Sequence, residues 1–183
     1  MKDLLRQYKS VIKFILTFLV VYGLLTVTYK VYLSKSDGQQ FYPDYITNLT
    51  AKQSAILLNS IGYESAVLTH DKEASMKLIV RNKFVARVVE GCNSVSVIIL
   101  FLSFIVAFSG NFKRTFLYIL GGSVLIYSVN LIRIVILSIG LYHYPWRRDI
   151  LHTIIFPLII YGMVFLLWMF WVNRDTKLHA KND

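Results

Sequence analysis

The sequence predicts a mainly α, polytopic membrane helix bundle with about four transmembrane helices and a small extracytoplasmic α/β-hairpin insertion. Three observations predict it. Hydrophobic residues make up 56% of the 183-residue chain, and mean hydropathy is +0.55, too apolar for an ordinary soluble domain. The apolar residues fall in four long blocks, each long enough to approach the hydrocarbon thickness of a bilayer. Finally, most basic residues flank those blocks. The net charge of +10 therefore reads as anchoring beside anionic lipid, and no nucleic-acid-binding motif accompanies it.

The first block covers residues 11–33 and is most apolar over 14–27. Lys2, Arg6, Lys9 and Lys13 precede it, as in a signal peptide. The exit "VYLSKSDGQQ" lacks a small-x-small cleavage site, so an uncleaved anchor is expected. The second block runs over 92–108, the third over 115–141 and the fourth over 150–172. Lys113 and Arg114, with Arg174, Lys177 and Lys181, put both termini in the cytoplasm. Arg147 and Arg148 run against that orientation. The chain divides into a tail and first helix (1–33), an outer segment (34–91), a three-helix core (92–172) and a second tail (173–183).

The outer segment reads as a folded insertion. Pro43 and Asp44 suit a helix start, and Tyr45, Leu49, Ile56, Leu57 and Ile61 form an approximate apolar stripe after them. "KLIVRNKFVARVV" is rich in β-branched residues and turns at Arg81-Asn82-Lys83, a hairpin leading into the second block. The hairpin and the outer helix are expected to roof whatever site lies below.

That site is expected where polar groups meet at one depth. Cys92, the sole cysteine, stands at the outer end of the second block, where a helix N-terminus would favour its thiolate. A structural cysteine packs inertly; a lone thiol facing an oxidising compartment is a reactive candidate. Arg133 lies about 12 Å of helix before the end of the third block, and a cation inside an apolar span is functional by default. It would stabilise a thiolate or an oxyanion; the plainer alternative is a cation bonding backbone carbonyls. Asn130, one turn earlier, either orients Arg133 or bonds between helices. His152, in the first turn of the fourth block, would take and return the thiol proton. Asp149 would hold its ring or cap the helix. Glu90 reads as a solvated surface group, and His70, His143 and His179 have no comparable company. No H-E-x-x-H, C-x-x-C, D-x-D, nucleotide-loop or G-x-S-x-G pattern occurs, so no metal, cofactor or serine-hydrolase chemistry is expected. Gly121-Gly122 is expected to permit close helix packing.

With these residues in place, "VVEGCNSVSVIILFLSFIVAF", "YSVNLIRIVILSIG" and "RRDILHTIIFPLIIYG" resemble the exosortase/archaeosortase family, most of all its short F-type exosortases of Bacteroidota. The resemblance covers the C-terminal half. It implies a cysteine peptidase or transpeptidase with Cys92, Arg133 and His152 as its active site and Asn130 as part of an N-x-x-R motif. The chain departs from the family's alanine-cysteine-serine-glycine style motif, reading Gly91-Cys92-Asn93-Ser94 there, and at Phe156, where a glycine is common. The resemblance further implies a multi-pass protein of the bacterial inner membrane with an extracytoplasmic site. Its substrate would be an exported, membrane-anchored protein with a C-terminal sorting tail of motif, transmembrane helix and basic cluster. An amine on a lipid or glycan is a candidate acceptor. Two other readings compete: a non-catalytic membrane subunit of an export or envelope-assembly complex, and an exosortase fold that has lost its activity.

Overall fold

The computed structural model describes residues 8–36, 41–108 and 111–179, with side chains through residue 174. Lys2, Arg6 and Lys181, three of the flanking cations, lie outside the described residues, as do the side chains of Lys177 and His179.

Helix α1 is Lys9–Ser36, apolar between Lys13 and Lys30 and with no buried residue. An outer unit follows: α2 (Tyr45–Ser60) and strands β1 (Ser65–Thr69), β2 (Ser75–Val80) and β3 (Lys83–Val89). A 3-10 turn, Glu90–Cys92, leads to α3 (Val95–Ala107) and then to α4 (Phe112–His143). The last segment enters in pieces: a 3-10 turn Pro145–Arg147, a single α-turn Arg148–Ile150, a π-helical turn Leu151–Ile155, and finally α5 (Phe156–His179).

Among the described residues, three stretches are long and apolar enough to cross a membrane: Lys9–Ser36, Phe112–His143 and Pro145–Arg174. The protein is therefore a helical membrane protein by length and composition. The expected second span is shorter than residues 92–108. Ser94 takes a left-handed backbone, φ +65°, and the helix begins only at Val95. Its 13 residues make about 20 Å, less than the hydrocarbon core. α3 lies antiparallel to α1, since Asn93 meets Tyr29 at one end and Phe104 and Phe108 meet Phe14 at the other.

α4 passes through two cores. Its lower half joins Phe101 and Ile105 of α3 and Val164 and Trp171 of α5 around Ile126. Gly122 makes the close approach possible, because a Cβ there would stand 2.3 Å from Phe101 Cζ. Gly121 faces open space, so only one of the expected pair serves packing. The upper third of α4 packs on two sides: Ile134 and Val135 join Ala51, Ala55 and Leu58 of α2, Met76, Leu78 and Val80 of β2, and Val88 of β3, while Leu137 and Leu141 pack on Phe156 and Leu151 at the entry to α5. The apolar run up to Leu141 is thus not all lipid-facing. Part of it is the floor of a protein core.

In the outer unit Asp44 caps α2 as expected, accepting from the Ile46 and Thr47 amides at 3.0 Å each. The expected stripe is wrong. Tyr45, Ile56, Leu57 and Ile61 are exposed, and Thr47, Asn48, Thr50, Ala51, Ser54, Ala55 and Leu58 are buried instead. Small residues let the helix sit close to α4 and the sheet. The polar ones find partners within reach: Ser54 Oγ donates to the Thr50 carbonyl at 2.8 Å, and Asn48 Nδ2 to the Tyr42 carbonyl at 2.8 Å. The hairpin turns as expected, with Arg81 (φ +46°) and Asn82 (φ +62°) as its two central residues and Val80 paired with Lys83. The sequence reading missed β1, which pairs antiparallel with β2 to complete a three-stranded sheet.

Candidate active site

A cleft of about 810 Å3 opens where β3, the upper part of α4 and the broken entry to α5 meet. Cys92, Arg133 and His152 all line it, and so does Asp149. The expectation is that Cys92, Arg133 and His152 meet within hydrogen-bond or single-water reach; they line one cleft, and among the described residues no hydrogen bond joins them.

Asn130 organises the thiol's surroundings. It is buried, 1% exposed, and its Nδ2 donates to the Cys92 carbonyl at 2.7 Å. Its Oδ1 accepts from Arg133 Nη1 at 3.3 Å. One side chain thus ties the backbone of the cysteine turn to the guanidinium. Arg133 is half-buried, with Cζ 5.9 Å from the centre of the Phe156 ring, so the residue in the expected glycine's place packs against the cation. Arg133 Nε is buried without a hydrogen-bond partner, an arrangement that costs about 1–3 kcal/mol unless a ligand completes it.

Cys92 does not sit on a helix N-terminus. It ends the 3-10 turn, with Asn93 and Ser94 between it and α3. Asn93 anchors this junction. Fully buried, it donates from Nδ2 to Tyr29 Oη (2.7 Å) and Thr47 Oγ1 (3.1 Å), and its Oδ1 accepts from the Val95 amide at 3.0 Å. The departure from the family at this position is thus a structural tie between α1, α2 and the start of α3.

His152 is exposed on the π-helical turn, a local widening that is frequent at functional sites. Among the described residues no hydrogen bond joins the Cys92 thiol to Arg133 or His152, and none joins Asp149 to His152. Asp149 lies inside the first turn of its short helix rather than at its cap, so the capping role is corrected. Glu90 is exposed, as expected.

Sequence reasoning missed several cleft residues. His70, Lys83, Arg87 and Arg148 line it too. Lys83 and Arg87 stand four apart on β3, but a bulge at Val85 shifts the register between them, with Lys83 opposite Val80 and Arg87 opposite Lys77, so their spacing carried no signal. His70 arrives on the β1–β2 loop, which Tyr42 Oη holds by donating to the Glu73 carbonyl at 2.8 Å. Two ion pairs brace the same loop: Arg87 with Glu73, and Lys77 with Asp71, whose carboxyl the ammonium holds below its ordinary range. His143 is instead used structurally, bonding Tyr63 Oη through Nε2 at 3.1 Å. The expected roof is half right: β3 forms a wall of the cleft, and α2 contributes none of its lining.

Comparison with family models, with curated proteins and with solved structures finds no match in any of the three. The site stands on its own geometry.

Proposed function

We propose that the chain is an exosortase-like cysteine peptidase or transpeptidase of the bacterial inner membrane, acting on the sorting tail of exported, membrane-anchored proteins. The observation that carries this reading is the shared cleft of Cys92, Arg133 and His152, with Asn130 bonded to both the cysteine turn and the arginine. In this reading the cleft lies on the extracytoplasmic side and the termini are cytoplasmic. α3, with the polar turn ahead of it, completes a fourth, short crossing.

The chemistry follows from the residue types. His152 takes the thiol proton, and Sγ attacks the scissile carbonyl carbon. Arg133 stabilises the oxyanion that forms. The C–N bond breaks as the imidazolium returns its proton to the leaving nitrogen, and a thioester remains on Cys92. Water then gives a free carboxylate, or an amine gives a new amide; either releases the thiol. A bound substrate supplies the link across the cleft that the resting thiol and histidine lack.

Cys92→Ser tests this directly. Processing of a tailed substrate in cells should cease while the amount of protein in the membrane stays unchanged. The unbonded thiol favours a second reading, a non-catalytic membrane subunit with Arg133 serving a partner helix. On that reading Cys92→Ser leaves processing intact, and Arg133→Ala disrupts an assembly instead.

A further inference from the structure

We infer that the cleft holds the phosphate group of a membrane amphiphile, in a subsite formed by Lys83, Arg87 and Arg148 with the apolar side chains of Ile134, Leu137 and Leu141. The inference rests on the cleft described above but not on the thiol's chemistry.

Charge is the first observation. Four cations line the cleft, namely Lys83, Arg87, Arg133 and Arg148, against one carboxylate, Asp149. Only Arg87 is in an ion pair, with Glu73; even with Glu73 counted, the cations outnumber the carboxylates by two. Among the described residues Lys83, Arg133 and Arg148 have no carboxylate within salt-bridge distance. Lys83 instead lies 5.7 Å from the Tyr142 ring centre. Like charges gathered around a cavity repel one another unless an anion joins them. Guanidinium groups suit phosphate oxygens in particular.

The second observation is Arg133 itself, a guanidinium that lines the same cleft with no carboxylate partner among the described residues. The third is the combination of surfaces. Ile134, Leu137 and Leu141 are buried and line the cavity together with the cations, so the lining combines apolar and cationic side chains. Tyr144 and Trp146, 52% and 74% exposed, flank Pro145, which lines the cleft, and exposed aromatic residues of this kind are common at a bilayer surface. A free anion would use the cations alone. A phospholipid uses both.

The test is native mass spectrometry of the full chain in neutral detergent, titrated with short-chain phosphatidylglycerol, with diacylglycerol of the same chains, and with inorganic phosphate. Phosphatidylglycerol should be retained at least tenfold more tightly than either of the others. The double variant Lys83→Gln/Arg148→Gln should lose about tenfold of that retention, and Lys83→Arg/Arg148→Lys should restore it. Equal retention of diacylglycerol, or retention unmoved by the double variant, overturns the phosphate subsite. Inorganic phosphate bound as tightly as the phospholipid overturns the amphiphile as its source. Cys92→Ser separates this inference from the proposed reaction: it should abolish processing and leave phospholipid retention unchanged.

Discussion

Asn130 is the residue on which the proposed chemistry turns, because it is bonded at both ends inside a buried site. Its substitutions should therefore separate its two roles. Asn130→Asp keeps an acceptor for Arg133 but loses the donor to the Cys92 carbonyl; Asn130→Leu loses both. Each lost or unmatched buried bond costs about 1–3 kcal/mol, so processing should fall about tenfold or more in the first and further in the second, with rates of thiol alkylation in membranes reporting the same order. Equal rates in both variants would reduce Asn130 to a packing residue. The three principal candidates were legible because each is an odd residue in an apolar setting: one thiol, one arginine, one histidine at a helix entry. His70, Lys83, Arg87 and Arg148 were not legible in the same way. Charged residues on a hairpin or a loop are ordinary in a sequence, and only the tertiary fold turns them toward a common cavity.

Among the elements, α3 and α4 depend on one contact. Gly122→Ala forces Phe101, itself fully buried, out of place, and overpacking of this kind costs about 1–3 kcal/mol. Gly121→Ala, facing open space, should be near neutral, and thermal unfolding in detergent would rank the two. At the outer unit, Asp44→Ala removes both cap bonds to α2 and should lower stability by about 0.5–2 kcal/mol; hydrogen exchange of the first turn of α2 is the measurement. The capping aspartate and the hairpin turn were legible because they follow from local backbone chemistry. The buried face of α2 was not. A helix that packs through threonine, serine and alanine against a neighbouring helix hides its contact face from any count of large apolar residues. The upper third of α4 misled in the opposite sense, since isoleucine and leucine facing a sheet read the same as isoleucine and leucine facing lipid. The π-helical turn had no sequence signal at all, yet it sets the direction of His152: one extra residue in a helix rotates what precedes it by about 100°. Deleting Thr153 should restore the ordinary pitch and swing His152 off the cleft, abolishing processing while α5 remains folded by circular dichroism.

For the whole molecule, the outer unit and the bundle share α4 as a single rod. A sheet with open edges cannot enter hydrocarbon, because its unpaired backbone groups would go unsatisfied. On the proposed topology the bilayer surface falls near Asn130, where α4 meets the outer unit. From Phe112 to Asn130 that rod is about 27 Å long, close to the thickness of a hydrocarbon core. No hinge interrupts it among the described residues, so the height of Cys92 above the opposite face of the membrane is a fixed length. The protein thereby works as a gauge. In a bilayer of longer-chain phosphatidylcholine the thiol should sink toward the headgroups and react more slowly with a membrane-impermeant reagent; in a thinner one it should rise and react faster. Tilting of the bundle would offset part of the rise in a thin bilayer, and local thinning of the lipid part of the sinking in a thick one. A cell that thickens its membrane would then retard every step at this site without touching a single residue of it.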